Sequence, residues 1–339
     1  MRLSEEVALA AVGEAMQNAG VDPTQAGDVA AGLVWASLRG VDSHGIRLID
    51  HYVAGLRSGR LNGSPAIEHV QSGPSAASLD GDHGFGLHVG RVAMRLATEL
   101  ARETGVGAVS VANSSHCGAL GFFTTEVAKD GFLAVAMTHA TRRIATPGSS
   151  EMFFGNNPMA IAAPMRDEDP FSYDASTSLI TFNEVRRLQE SGGSLPLGVA
   201  ADATGRMTTD ARAAEMLLPI GGYKGFGLSM VVDVFCALLS GMPSGDRVSQ
   251  MFDGPSSDQR RLGHFFLAVD ISRFQAVDVF AAELSVTAER IRGLPATGEP
   301  GPMIPGDPEK TVAAHRREHG IPVPEHLLPL LIEHGAATS

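Results

Sequence analysis

Nine consecutive residues, Arg39-Gly40-Val41-Asp42-Ser43-His44-Gly45-Ile46-Arg47, bring together two guanidinium groups, a carboxylate, a hydroxyl and an imidazole. An unperturbed imidazole titrates near neutral pH, which makes His44 the candidate proton-transfer group. The stretch connects two helix-like patterns, and loops on rigid elements carry much chemistry. The competing reading is structural: Asp42 or Ser43 caps the next helix and His44 merely sits in its first turn. A second imidazole, His116, lies in Asn113-Ser114-Ser115-His116-Cys117-Gly118. Its neighbour raises the idea of a cysteine nucleophile. Sequence neighbours point apart on a strand, however, and Cys117 reads as a small packing residue.

Two further stretches could hold an anion. Gly221-Gly222-Tyr223-Lys224-Gly225-Phe226-Gly227 offers glycine backbone, a lysine and the start of a helix. Those are the parts of a pyrophosphate or carboxylate site. No Gly-Lys-Ser/Thr closes it, so it is not a Walker A loop. A glycine hinge with a surface lysine fits it equally well. Asp174-Ala175-Ser176-Thr177-Ser178 sets an acid before a run of hydroxyls and an expected helix. Such a turn binds ribose and phosphate oxygens, or simply caps.

The elements that must position these groups follow from periodicity. Ser4 to Ala19 reads as a helix, and Asp22-Pro23-Thr24-Gln25 opens a second one running to about Leu38. Ile46, Ile49, Val53 and Leu56 recur at helical spacing. A third helix is therefore expected from about His44, with His44 at its N-terminus, where the dipole disfavours imidazolium. Ala76–Leu79, Val106–Val111, Phe132–Met137, Met159–Ala163 and Gly263–Asp270 read as strands. Leu87–Glu103 and the stretch from Val277 to Ile291 read as helices, and two short helical patterns start at Glu309 and Pro324. Gly81-Asp82-His83-Gly84-Phe85-Gly86 turns between a strand and a helix, and a strand follows. This resembles a dinucleotide-binding unit, but the third glycine, Gly90, comes one residue late and the ribose-binding acid is misplaced.

Composition narrows the class. The 339 residues are 44% hydrophobic with a formal net charge of -12, and no long basic run occurs. Neither nucleic acid nor an anionic membrane is an expected partner. Two cysteines, Cys117 and Cys236, argue against a disulfide framework. The longest apolar stretch, within Gly225 to Gly241, is too short for a span and contains Asp233, so a buried core helix is expected. Ser4, Glu5 and Glu6 stand where a leader would be basic and then apolar, and a cytoplasmic location is expected. The histidines show no metal-ligand spacing.

Several stretches, taken in order, are similar to one family. They are Arg39-Gly-Val-Asp-Ser-His-Gly45, Asn113-Ser-Ser-His-Cys-Gly118, Gly155-Asn-Asn-Pro158, Asp174-Ala-Ser-Thr-Ser178, Leu218-Pro-Ile-Gly-Gly-Tyr-Lys-Gly-Phe-Gly227, Gly263-His-Phe-Phe-Leu267 and Pro305-Gly-Asp307. The series resembles the malate/L-lactate dehydrogenase family that is distinct from the Rossmann-type lactate and malate dehydrogenases. That family also contains ureidoglycolate, sulfolactate and diketogulonate enzymes and reductases of cyclic imines such as piperideine-2-carboxylate.

The resemblance covers nearly the whole chain. It implies an α/β fold with a mixed, mostly antiparallel sheet domain that is not a Rossmann fold. Residues 73–303 would bind the cofactor, NAD or NADP. Residues 1–72 with 304–339 would form a helical domain carrying the catalytic histidine, and the chain would be a homodimer. It implies His44 as acid/base beside Ser43, with His116 near the nicotinamide and the substrate. Asp174, Ser176, Thr177, Ser178, Lys224, Gly225, Gly306 and Asp307 would be cofactor contacts, and Gly84-x-Gly86 a structural turn.

Three positions depart from the family pattern. The arginine expected five residues after Ser43 is Leu48, and Arg47 stands one position earlier, which on a helix turns the side chain by about 100°. Asn183-Glu184 replaces Gly-Lys, and Gly198-Val199-Ala200 replaces Gly-Trp-Ala. The expected reaction is the interconversion of a small 2-oxo acid and its 2-hydroxy acid. The alternatives are reduction of a cyclic imine carboxylate and a ligand-binding relative without activity. One bidentate arginine should hold the substrate carboxylate: Arg47 first, then Arg39, Arg142 or Arg143.

Overall fold

The computed structural model describes residues 1–251 and 257–333. A short strand, β1 (Arg2–Leu3), leads into α1 (Glu5–Asn18) and α2 (Pro23–Leu38). The Ser4 side chain accepts the Val7 N–H, and Asp22 accepts those of Thr24 and Gln25 with Pro23 in the first turn. These are the expected caps. Gln25 does not complete a capping box. Its Oε1 accepts the Phe85 N–H at 2.9 Å and its Nε2 donates to the Asn62 carbonyl at 3.1 Å, tying α2 to two loops.

The third helix differs from expectation. Residues Asp42–His44 and Ile46–Leu48 form two separate 3₁₀ turns, and α3 (Ile49–Arg57) begins only afterwards. Gly45 breaks the run, with an extended backbone between the turns. His44 is therefore not at an α-helix N-terminus, and the dipole argument falls away.

Strands β2 (Glu68–Gly73) and β3 (Ala76–Asp80) form a hairpin, followed by α4 (Gly86–Thr104) and β4 (Val106–Ser114). Next come α5 (Gly121–Ala128), β5 (Phe132–Thr138), β6 (Met159–Ala163) and β7 (Phe171–Ala175). A smaller lobe holds α6 (Phe182–Ser191), β8 (Ala200–Ala201) and β9 (Met216–Leu217) around Ile144, Val185 and Leu217. Helix α7 (Tyr223–Asp233) continues into a π-helical turn, Val234–Leu238. The chain then runs through β10 (Leu262–Asp270), α8 (Val277–Arg292), α9 (Asp307–His319), β11 (Ile321–Pro322) and α10 (Leu328–Glu333).

The central sheet has seven strands in the order β2-β3-β4-β10-β5-β6-β7. Only β3 and β4 pair in parallel; every other neighbour is antiparallel. The fold is thus α/β with a mixed, mostly antiparallel sheet. Helix α4 packs on β4 and β10, α5 packs on β5 and β6, and α2 packs on both helices. Leu33, Val89, Phe123 and Phe266 are fully buried where these layers meet. The two ends of the chain close the helical layer: β1 pairs with β11, α1 packs on α10, and α2 packs on α9.

The strand–turn–helix–strand unit read from the sequence exists as β3-α4-β4, but its turn cannot take a phosphate. A Cβ on Gly86 would lie 2.4 Å from the Ser115 carbonyl oxygen, and the Ser115 hydroxyl accepts the Gly86 N–H at 2.9 Å. The glycine is there because the 115–116 backbone lies against the helix start.

Two further expectations are corrected. Asp174 ends an edge strand, β7, and no helix follows until Phe182. The apolar stretch after Lys224 is not buried all round. Val232, Cys236 and Ala237 pack on the sheet, but Met230, Val231, Val234, Phe235, Leu238 and Leu239 are exposed. The inner face sits very close to β10: a Cβ on Gly263 would come within 1.8 Å of the Cys236 carbonyl oxygen. Among the described residues no helix is long and apolar enough to cross a membrane.

Candidate active site

The turn bearing His44 is pinned from the far end of the chain. Arg316 of α9 donates to both carboxylate oxygens of Asp42, at 2.6 and 2.9 Å, and to the Ser37 carbonyl. The Ser37 hydroxyl accepts the Ile46 N–H at 2.9 Å. Gly45 is required by that contact, since a Cβ there would stand 2.1 Å from Ser37 Oγ. Asp42 is therefore not a helix cap but one half of an ion pair. Ser43 does not cap either; its Oγ lies 2.9 Å from His44 Nδ1.

His116 arrives from the loop after β4. Its ring stacks on that of His44, with centroids 5.4 Å apart and planes 20° from parallel. Tyr52 of α3 sets it from below, with Oη 3.0 Å from His116 Nδ1. Each imidazole is thus held at Nδ1 by a hydroxyl, and neither Nε2 has a protein partner among the described residues. Both rings line a cavity of about 930 Å³, near the top of the range for ligand sites.

Burial pushes His44 down to about 4. His116 is held well below its ordinary value by burial first, and then by His44, His51, Arg260 and His264. The pair is neutral near pH 7. Burial pushes the Cys117 thiol up to about 12, so no thiolate forms and the cysteine-nucleophile idea is removed.

Asp174 lies at the opposite edge, on β7. Its Oδ2 accepts the Gly121 N–H at 2.7 Å, at the start of α5. The carboxylate is surrounded by protein yet open to the cavity, and this desolvation pushes it up to about 6. A carboxyl raised in the folded state contributes most below its unfolded value of 3.8, and that contribution is lost as pH rises through about 6. Asp174→Asn is therefore expected to raise Tm at pH 8 and to change it little at pH 4. Equal Tm values for the two proteins at pH 8 would contradict that environment.

The expected site residues fall into two groups. Ser43, His44, Arg47, His116, Asp174, Ser176 and Gly306 line the cavity. Thr177, Ser178, Lys224, Gly225 and Asp307 do not. Thr177 is buried against Ser229 Oγ at 2.6 Å, and Ser178 donates to the Ile180 carbonyl at 2.7 Å. Gly225 serves packing, since a Cβ would meet the Ile220 carbonyl oxygen at 2.0 Å. Asp307 is held by Arg292 at 2.6 Å. Lys224 is exposed in the first turn of α7, and shortly before it in the chain Ile220 pairs with Thr177 and Pro219 with Ser178.

Arg47 is exposed on the cavity wall and Leu48 is buried beside it. In a 3₁₀ turn their side chains diverge by about 120°. Of the reserve arginines, Arg39 stacks 4.3 Å over Trp35 and reaches Asp169, while Arg143 lies 4.2 Å over Phe182. Arg142 is not in the cavity wall. Sequence reading missed Tyr52, Arg316 and Arg260. A tyrosine on an otherwise apolar helical stripe was a usable signal for the first, because a buried hydroxyl needs a partner. No local signal marked the other two.

The cavity, its paired imidazoles and its carboxylate edge sit in a chain whose relatives are dehydrogenases, which makes it an oxidoreductase acting on hydroxy acids. The chain belongs to the malate/L-lactate dehydrogenase family, whose model matches residues 3–331. It is 36% identical over 274 residues to a malate dehydrogenase of Pyrococcus abyssi, covering 78% of this chain and 74% of that protein. A ureidoglycolate dehydrogenase (NAD(+)) of Escherichia coli is 29% identical over 333 residues, covering 98% and 95%. The solved sulfolactate dehydrogenase of Methanocaldococcus jannaschii superposes with a TM-score of 0.90 at 28% identity, covering 98% of this chain and 96% of that one.

Proposed function

We propose that the protein interconverts a small 2-oxo acid and its 2-hydroxy acid, using NAD or NADP, with His44 as the proton-transfer group. The observation that supports this most is the stacked pair His44–His116, each ring anchored at Nδ1 and free at Nε2, on the wall of one cavity. The residues present fit a nicotinamide dinucleotide. Asp174 offers carboxylate oxygens to a ribose diol, Ser176 offers a hydroxyl, and Gly306 offers bare backbone. The bound cofactor supplies or accepts the hydride.

The chain's own work is proton placement and charge. His44, neutral in the free protein, gains its proton when an anionic substrate enters, because a nearby negative charge favours imidazolium. His44 then gives that proton to the substrate oxygen, or takes it in the oxidative direction. Ser43 fixes the ring's orientation and Tyr52 fixes that of His116. The direct test is a panel of 2-oxo acids and cyclic imine carboxylates assayed with NADH and NADPH. Turnover of imines alone would replace the 2-oxo acid reading, and turnover of neither would remove it.

Lys224 is read as a phosphate contact reaching over the Thr177–Ser178 segment from the first turn of α7. Lys224→Ala is expected to weaken NADH or NADPH binding about tenfold, the ~1.4 kcal/mol of one exposed charged contact. Tm should stay within a degree, because an exposed lysine contributes little. Fluorescence titration of both cofactors checks it, and unchanged affinity for both removes Lys224 from the site.

The working form is read as a homodimer joined through the exposed face of α7 and its π-helical turn. Contiguous apolar surface of this kind marks an interface, and Leu238 and Leu239 are 57% and 59% exposed. Leu238→Glu is expected to shift sedimentation from dimer to monomer while leaving the fold intact by circular dichroism. A monomeric wild type would end this reading.

A further inference from the structure

One cation in the cavity has donors to spare. Arg260, just ahead of β10, is 5% exposed and lines the same cavity as the two histidines. A guanidinium carries five N–H donors. Here one terminal nitrogen donates to Thr141 Oγ1 at 3.0 Å. Thr141 is itself fixed, donating to the Ser249 carbonyl at 2.9 Å. The buried Nε has no partner, and among the described residues no carboxylate pairs with this side chain. A cation taken out of water without an opposite charge is costly to fold around. Burial, assisted by Arg60, pushes Arg260 down to about 10.

Its charge also reaches the histidine cluster. Arg260 is among the groups that depress His116 and His51, though not His44, whereas Arg47 is not among those acting on His44 or His116. Arg39 and Arg143 already lie over aromatic rings.

We propose that Arg260, not Arg47, fixes the substrate carboxylate beside the His44–His116 pair, and that exposed Arg47 draws the anion into the cavity. This rests on the 2-oxo acid reading above. Planar carboxylate and planar guanidinium match two hydrogen bonds to two oxygens, and the pairing would neutralise a buried cation that no carboxylate pairs with among the described residues.

The test compares wild type, Arg260→Gln and Arg47→Gln. Arg260→Gln is expected to raise KM for the best 2-oxo acid about 100-fold, within the range for losing a buried charged partner. NADH and NADPH affinities should not move, and Tm should equal or exceed that of wild type because an unpaired buried charge has been removed. Arg47→Gln should change KM only a few-fold. A raised cofactor Kd with unchanged KM would make the anion a cofactor phosphate and overturn the proposal. An unchanged KM, or a Tm several degrees lower with proportionate loss of all binding, would also overturn it. An arm without turnover separates this from failure of the functional reading: calorimetric titration with oxalate and malonate. Binding to wild type that is lost in Arg260→Gln supports the site even if no 2-oxo acid is reduced, and equal binding to both sinks it.

Discussion

His44→Asn is expected to lose about 10²–10⁴-fold in kcat while still binding NADH or NADPH, the usual contribution of a positioned general acid or base. Asparagine keeps a polar group within reach of Ser43 and removes the titratable group together with the ring that stacks on His116. The loss should therefore appear in kcat rather than in cofactor affinity. His116→Asn provides the contrast. Burial first, then His44, His51, Arg260 and His264, hold His116 well below its ordinary value, so its imidazolium is scarce near pH 7. Its removal also deletes the ring on which His44 stacks. A loss at His116 comparable to that at His44, with a pH profile shifted rather than flattened, fits a stacking partner. Turnover of His44→Asn within a few-fold of wild type would move the proton-transfer role to His116.

The pH dependence of that pair is tied to substrate. In the free protein, burial keeps His44 neutral down to about 4. An acid form near neutral pH is expected once a carboxylate sits in the cavity, because a nearby negative charge favours imidazolium. The amide of a 2-oxo acid brings no such charge, so it should be a poor substrate even where it binds.

What the sequence revealed of this architecture follows from range. Elements with strong periodicity and clean caps were legible: α2 opens at Asp22-Pro23, and Met159–Ala163 is a strand to the residue. Elements without a buried alternation were not. All six residues of β2 are exposed or half-buried, and β7 shows no buried residue, so only pairing with neighbours identifies them as strands. The helix after Lys224 reads as buried because its composition is apolar on every side, and composition cannot say which side meets the sheet. The site divides the same way. Local clustering picked out His44 and His116 separately. Their stacking, the Tyr52 anchor, the open guanidinium of Arg260 and the Arg316 pin all depend on residues far apart in sequence, where no local pattern speaks.

Arg316→Met should show how much the chemistry depends on that last contact. The methionine keeps the length of the apolar stem and removes the three hydrogen bonds to Asp42 and the Ser37 carbonyl. Arg316 is largely buried and Asp42 is about half exposed, with side-chain exposures of 14% and 47%. Water therefore compensates Asp42 in part, and the stability cost should be about 1.5–3 kcal/mol, the range for hydrogen bonds to charged groups. Activity should suffer more than stability. The Asp42–His44 turn has no side-chain cap of its own and is fastened at one end by Arg316 and at the other by Ser37. Releasing one fastening lets the imidazole drift, and a displacement near 1 Å can cost about 100-fold in rate. The expected result is a kcat reduced about 100-fold at a temperature where the variant is still fully folded, with cofactor affinity unchanged. Asp42→Asn should give a milder form of the same effect, because the amide oxygen can keep one of the bonds. A variant whose kcat is normal until it melts would show that the turn holds its shape without α9, and that Arg316 only joins the two ends of the chain.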